Sequence, residues 1–167
     1  MASGLELTVS LPGLKPLSVA LSRVREDIAD WTSFWIERFV PGFYRQNLEN
    51  FVSEGGSSGE SWMALSPRYA AWKAAHYPGR GILVRSGALK ASLLSPSADG
   101  AVFEPGPTSL TVGTNVPYGI YHQKGTWKMP QRPPLRLTPA FMAVVGQSLQ
   151  KHIEAAWQQR RAEAGAA

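Results

Sequence analysis

Residues 16–39 read PLSVALSRVREDIADWTSFWIERF. Their apolar positions step by three or four residues, which is the spacing of one face of an α-helix. The members of this stripe are Leu17, Leu21, Val24, Ile28, Trp31, Trp35 and Phe39. The spacing predicts one long amphipathic helix of about six turns near the N-terminus.

Pro41 and Gly42 follow this stripe directly. Proline lacks a backbone donor and its ring clashes with the preceding turn, so the pair is expected to stop or kink the helix. Because Phe43 and Leu48 continue an apolar pattern, helix is expected to resume through about Asn50.

Strand patterns occupy other parts of the chain. Apolar and polar residues alternate at 5–11, the signature of a strand with one buried face. Residues 101–104 and 109–113 predict the two strands of a hairpin, and 82–84 form a short apolar run typical of a strand. These segments predict a small, mostly antiparallel sheet.

Serine or threonine followed by proline marks two further helix starts. Ser66-Pro67 predicts a short helix that ends before residues 76–81, and Thr138-Pro139 predicts a C-terminal helix. Ser86 is expected to cap a helical turn that extends to about residue 93. The predicted fold class is α+β: a small, mostly antiparallel β-sheet packed with a long N-terminal helix and a C-terminal helix.

The remaining segments lack such periodicity. Residues 115–128 are predicted to be loop, and 130–134 must be extended because three prolines restrict the backbone. A chain of 167 residues with 44% hydrophobic content predicts one domain over 1–167. Within it, a flexible exposed loop is expected at about 53–60 and a frayed tail at about 160–167.

Several classes of chemistry have no support in the sequence. The absence of cysteine excludes disulfides, thiol catalysis and cysteine-ligated metals. The three histidines, His76, His122 and His152, lack metal-ligand spacing, and no nucleotide-binding glycine motif occurs. No cofactor, metal, membrane span or signal peptide is expected, and the protein is predicted to be made in the cytoplasm.

Two alternatives remain open beside a structural role. The formal charge of +5 leaves a nucleic-acid-binding protein as one alternative, but most of the cationic residues are scattered along the chain, and a basic balance alone usually means a solvated surface. A small hydrolase could use Ser86, His122 and Asp99, but the sequence has no Gly-x-Ser-x-Gly nucleophile motif.

The six tryptophans divide into two groups. Trp31, Trp35 and Trp157 lie on helical stripes and are expected in the core or in oligomer contacts. The other three fall in or near predicted loops, where aromatic residues often anchor protein interfaces. These candidate interface residues are Trp62, Trp72 and Trp127.

Four blocks of sequence, in this order, resemble the phage virion morphogenesis family, the tail-completion proteins of contractile-tailed phages and prophages. They are Ser61 to Pro67 (SWMALSP), Ile82 to Leu93 (ILVRSGALKASL), Val112 to Thr126 (VGTNVPYGIYHQKGT) and Met129 to Pro133 (MPQRP). Lys124 and Pro134 depart from the family pattern, which often has aromatic residues there. The motif residues on which the resemblance rests include Ser86, Gly87, Leu89, Tyr118, His122, Gln123, Gly125, Pro130 and Pro133.

The resemblance implies a non-enzymatic virion protein: a homo-hexameric ring at the head-proximal end of the tail or in the neck. Such a ring is required for tail completion and head–tail joining. Its implied partners are other copies of itself, the tail terminator or tail tube, and the head-completion or connector proteins, with DNA passing through the lumen. The alternative within this setting is a DNA-binding accessory protein of the head–tail connector.

The motifs also suggest a structural site. Gly87 and Gly125 are expected to allow positive backbone torsions or close backbone approach. His122 and Gln123 are expected to satisfy the backbone groups of a loop. Arg132, on a stiff segment between prolines, is predicted to form an ion pair across a subunit boundary.

Overall fold

The computed structural model describes residues 5–10 and 30–165, with side chains described from 30 to 159. Its α+β architecture confirms the predicted fold class. Part of the predicted N-terminal helix, residues 16–29, lies outside the described residues.

A three-stranded antiparallel sheet forms one layer. The strands are β1 (Leu5–Ser10), β2 (Ala101–Pro105) and β3 (Ser109–Thr114), in the order β1-β3-β2. Leu5 pairs with Thr114 at one end of β1, and Ala101 pairs with the same residue from β2. The predicted N-terminal strand and hairpin are therefore confirmed. Because β3 is central, its end at Thr114 is held from both sides.

Residues 30 and 31 are not helical, and Trp31 is the N-cap residue of the helix that follows. Helix α1 (Thr32–Phe34) begins after Asp30, whose Oδ1 accepts a hydrogen bond from the Thr32 N–H at 2.8 Å. The Trp31 N–H donates instead to Pro107 O in the β2–β3 loop, at 2.8 Å. The prediction that one helix runs through residue 31 is wrong, because residues 30 and 31 are not helical and the Trp31 N–H bonds to the β2–β3 loop.

Pro41 does not stop the helix. A π-helical turn (Trp35–Phe39) leads directly into α2 (Val40–Val52), and the Val40 N–H donates to Trp35 O. Proline is placed in the first turn of α2, where a missing donor costs little. The expected stop is therefore wrong, and the irregularity is a change of helical hydrogen bonding before the proline.

Two other expectations concern the segment between α2 and Ala88. The predicted strand at 82–84 is a turn, in which Leu83 has a φ of 61° and the Val84 N–H donates to Gly81 O. The loop expected at about 53–60 contains a 3-10 turn (Gly56–Ser58) and the buried Gly55, and most of its other residues are exposed as expected. Short runs between glycines therefore form hydrogen-bonded turns here.

The remaining helices are α3 (Pro67–His76), α4 (Ala88–Ser92), α5 (Gly119–Lys124) and α6 (Pro139–Gly165). The helices predicted after Ser66, Ser86 and Thr138 are confirmed, and Thr138 Oγ1 accepts the Phe141 N–H at 3.1 Å as an N-cap. Helix α5 lies where loop was predicted, which corrects that expectation. Helix α6 covers most of the predicted tail, and residues 166–167 lie outside the described residues.

An aromatic core joins the helices to the sheet. It includes Phe34, Trp35, Phe39 and Phe43 from the first helices and Leu110 and Val112 from β3. Trp31 and Trp35 are buried here as expected, and the Trp35 indole donates to Gly106 O in the hairpin loop at 3.1 Å. No helix in the described part of the chain has the length and apolarity to cross a bilayer.

Candidate functional site

The proline segment, residues 130–138, is extended and joins neither the sheet nor a helix. Prolines at 130, 133 and 134 lack N–H donors, so the segment is poorly suited to pair as a strand. Its backbone carbonyls nevertheless lie against the core and need partners. Side chains from α2, α5 and Trp62 supply them.

Asn50 and Trp62 hold the two central prolines. Asn50 Nδ2 donates to Pro133 O at 3.3 Å and to Pro134 O at 3.2 Å. The Trp62 indole N–H donates to Pro133 O at 3.2 Å. Because Asn50 lies on α2, these bonds attach the proline segment to a helix that contributes Val40, Phe43 and Phe51 to the core.

Two glutamines extend this attachment. Gln123 on α5 donates from Nε2 to Leu135 O at 2.9 Å, and its Oε1 accepts the Leu135 N–H at 3.2 Å. Gln46 on α2 donates to Arg136 O and accepts the Thr138 hydroxyl at 2.8 Å. An amide side chain offers both a donor and an acceptor, so each glutamine replaces a strand neighbour for this segment.

The Arg132 guanidinium is engaged within its own chain. Its side chain is buried, with Nε donating to Met63 O at 2.6 Å and Nη2 donating to Ala64 O at 2.9 Å. The predicted ion pair across a subunit boundary is therefore wrong. The guanidinium instead fixes the backbone after Trp62 against the proline segment, because its planar fork presents two donors in fixed geometry.

Trp62 is also a core residue of its own chain. It is buried, and its ring packs edge-on against Phe51 with centroids 5.5 Å apart. The prediction that Trp62 anchors a partner is wrong, because its side chain is buried and its indole N–H is bonded within the chain. Nothing in the spacing of the sequence distinguishes it from the two exposed candidates.

The Ser86 motif connects α4 to the sheet. Gly87, the N-cap of α4, has a φ of 94°, and Ser86 Oγ accepts the Ala88 N–H at 3.3 Å. Leu89 is buried one turn later.

At the end of α4, the Ser92 hydroxyl lies 2.7 Å from the Thr114 hydroxyl, which also accepts the Val116 N–H. The motif thus joins α4 to the end of β3.

Gly125 ends α5 with backbone torsions of φ 72° and ψ 174°. A Cβ at this position would lie 2.9 Å from the backbone nitrogen of Gln131, closer than real contacts allow. The close approach lets the chain turn back, so that Gln131 Nε2 donates to Gln123 O at 2.9 Å. Glycine is required here for both torsion and space.

Gly125→Ala is expected to destabilise the protein more than Gly87→Ala. Torsions that only glycine adopts readily cost about 1–3 kcal/mol for another residue, and Gly125→Ala adds an overlap with backbone. A Cβ at Gly87 meets no atom within 4 Å, so that variant carries the torsional cost alone. Urea denaturation of both variants measures the difference, and equal losses would exclude a role for the close approach.

His122 lies on α5 and is partly buried beside Tyr118, with ring centroids 6.0 Å apart. Among the described residues its Nδ1 has no hydrogen-bond partner, and its backbone oxygen accepts the Arg132 N–H at 2.9 Å. Burial, and secondarily the charge of Arg132, lower the pKa of His122 below its usual 6.5. The neutral imidazole is therefore favoured in the folded protein.

The lowered pKa of His122 predicts that the protein loses stability as the pH falls below about 6.5. Below about pH 6.5 the unfolded chain binds a proton at residue 122 that the folded chain resists, so the free energy of unfolding falls as the pH decreases. His122→Gln is expected to reduce the difference in stability between pH 7.5 and pH 5.5. His76→Gln, at an exposed position, is the control, and an equal reduction by both would contradict the assignment.

The exposed aromatic face of α3 comprises Tyr69, Trp72 and His76. Trp72 stacks on Tyr69 with centroids 5.6 Å apart and on His76 with centroids 4.6 Å apart. Of the ten residues of α3, only Lys73 is buried, with its ammonium donating to Gly81 O. The helix thus presents most of its surface, including the stacked rings, to solvent.

Three residues that support the proline segment or the core were not identified from the sequence. Gln46, Asn47 and Asn50 are buried on α2, and Asn47 Nδ2 donates to Leu93 O at 3.1 Å. The available signal was their position beside Phe43 and Phe51 on one apolar face. Buried amides on such a face indicate a nearby backbone without its own partners.

Comparison with known proteins gives one informative similarity. Over 104 residues, the chain is 35% identical to "Mu-like prophage FluMu G protein 1" of Haemophilus influenzae. The match covers 61% of this chain and 66% of that protein, so the chain spans slightly less than two thirds of the relative's length. No protein-family model and no solved structure matches the chain. The similarity indicates a phage-derived protein.

Proposed function

We propose that this phage-derived chain is a structural virion protein that forms a hexameric ring at the head-proximal end of the tail or in the neck. The ring completes the tail and allows it to join a filled head. It contacts the tail terminator or tail tube on one side and head-completion or connector proteins on the other. The protein acts by burying surface against these partners and performs no catalysis. It is made in the host bacterial cytoplasm and resides in the virion.

The exposed aromatic face of α3 carries this proposal. Trp72 is 40% exposed although it stacks with two other rings, and a Trp or Tyr side chain has a large apolar surface that favours burial. Such residues are enriched among the few that supply most of the binding energy of an interface. A helix with one buried residue gains little stability from packing within its own chain, so we expect a partner protein to bury the exposed face of α3.

A ring also needs a second, different surface on each subunit, because head-to-tail contacts join unlike patches. A groove lined mainly by residues from 34 to 49 and from 138 to 148, the helix groove, meets this need. It lies between the first helices and the start of α6 and has a volume of about 580 Å³. Phe141 and Val144 supply apolar lining, and Arg38 and Arg45 lie beside them. Arginines can contact aromatic faces favourably, which suits the rings of α3.

Trp72→Ala tests the ring contact. We expect subunit association to weaken by at least about tenfold, the loss typical of an interface anchor. Trp127→Ala is the matched control, because Trp127 is exposed and lies outside both the aromatic face of α3 and the helix groove. Analytical ultracentrifugation gives the association constants, and thermal melts of each variant show whether the fold is intact. Equal association of both variants and the unmodified protein would rule out the α3 contact.

DNA binding is the second candidate, and one observation favours it. Residues 105–153 contain no Asp or Glu, while Lys124, Lys128 and Lys151 are exposed in that range. A DNA-binding accessory protein would show an affinity for duplex DNA that falls steeply as salt rises. Absence of binding to a duplex at low salt would remove this candidate without affecting the ring.

A further inference from the structure

The Trp127 turn, residues 126–129, holds the most exposed large hydrophobic side chain in the described part of the chain. Trp127 is 89% exposed. The turn is closed by two backbone hydrogen bonds between Thr126 and Met129, at 2.8 and 3.1 Å. The Lys128 N–H also donates to Thr126 Oγ1 at 3.3 Å. The indole is therefore presented on a backbone that is already ordered.

An ordered and exposed tryptophan is suited to binding. An interface residue on a preformed turn loses little conformational freedom when it binds, so more of its burial energy appears as affinity. Gly125 contributes to this order, because its close approach to Gln131 fixes where the turn leaves α5. Gly125, a residue of the sequence motif at 112–126, thus positions the Trp127 turn.

The surroundings of Trp127 are cationic. The Lys128 ammonium lies 4.3 Å from the centre of the indole ring, and Lys124 is exposed at the end of α5. Among the described residues, neither lysine forms an ion pair, whereas Arg136 pairs with Glu60 at 2.8 Å. Residues 105–153 contain no Asp or Glu, so no carboxylate of that segment offsets the positive charge of the lysines around the turn.

We propose that the Trp127 turn inserts into an apolar pocket edged by carboxylates on a virion protein other than this chain. The indole fills the pocket, and Lys124 and Lys128 meet the carboxylates at its edge. Complementary charge of this kind accelerates association and fixes orientation. The inference rests on the proposed function, since it assigns one surface of the ring subunit to its contact with the tail or the head.

A second copy of this chain fits the turn poorly. The helix groove carries Arg38 and Arg45 against a single carboxylate, Glu49, so its edge would repel Lys124 and Lys128. DNA also fits less well. Bases in a duplex are stacked on each other and offer no free face for Trp127.

Site-specific photo-cross-linking tests the proposal. A photo-cross-linking amino acid replaces Trp127 in one protein and Trp72 in another, and each is incubated with heads and with tails purified from cells that lack this gene. We expect the probe at 127 to join a different virion protein, at a peptide rich in Asp or Glu. The probe at 72 is expected to join this chain itself.

Charge reversal supplies the second measurement. Lys124→Glu combined with Lys128→Glu is expected to weaken binding to the same particles at least about tenfold, and more strongly at low salt. Lys151→Glu on α6 is the control, expected to bind unchanged. A cross-link from position 127 to this chain, to DNA or to nothing, or unchanged binding by the double variant, overturns the proposal. Failure of the ring itself would appear separately, as loss of the self-cross-link at 72.

Discussion

Trp62→Ala is expected to lower the free energy of unfolding by about 3–5 kcal/mol, the range for removing a large aromatic side chain from a core. The residue is buried against Phe51, and its indole N–H donates to Pro133 O. Alanine leaves a cavity at the ring and takes one of the two donors from that carbonyl. The midpoint of thermal unfolding should fall by roughly 10 °C.

Trp127→Ala is the matched control, because the same chemical change removes an exposed ring. Its effect on stability is expected to be small, within about 0.5 kcal/mol, as for most surface substitutions. Urea denaturation of both variants at neutral pH gives the comparison. If Trp62→Ala were as mild as Trp127→Ala, the placement of Trp62 in the core would be incorrect.

Arg132→Ala is expected to cost about 3 kcal/mol of stability, because two backbone carbonyls would lose hydrogen bonds to a charged donor. Those carbonyls belong to Met63 and Ala64, and both lie next to the buried Trp62. Loss of the guanidinium should therefore loosen the contact between that backbone and the proline segment.

Arg132→Lys is expected to recover less than half of this loss, because an ammonium cannot present two donors in the fixed fork of a guanidinium. Arg136→Ala serves as the control: Arg136 is exposed and its ion pair with Glu60 lies at the surface, where such pairs add little. Hydrogen exchange at residues 62–65 measures the local effect. Unchanged protection there in Arg132→Ala would contradict the role assigned to the guanidinium.

Three elements in which periodicity coincides with a cap or turn signal were predictable from the sequence. Alternation at 5–10, the hairpin near 105–109 and the Thr138-Pro139 helix start each combine a pattern with a cap or turn signal. Helix α5 was not predictable, because Gly119 is its only buried residue and it has no apolar stripe. The run at 82–84 is too short for periodicity to separate a strand from a turn.

The candidate site was predictable only in part. Glycine at 125 was identified because its special torsions leave few substitutes. The hydrogen-bond partners of Trp62 and Arg132 were not predictable, because both side chains bind carbonyl groups about 70 residues away in sequence, at separations of 71, 69 and 68. Local sequence indicates that a tryptophan lies near a loop, but the fold decides whether that tryptophan is covered.

Oligomeric mass tests the central claim most directly. Light scattering on a sizing column measures the purified protein alone and after mixing with tails that lack it. The proposed function predicts a hexamer, or a monomer that forms a ring on the tails. A monomer that persists under both conditions and does not bind tails would contradict a ring at the tail or neck.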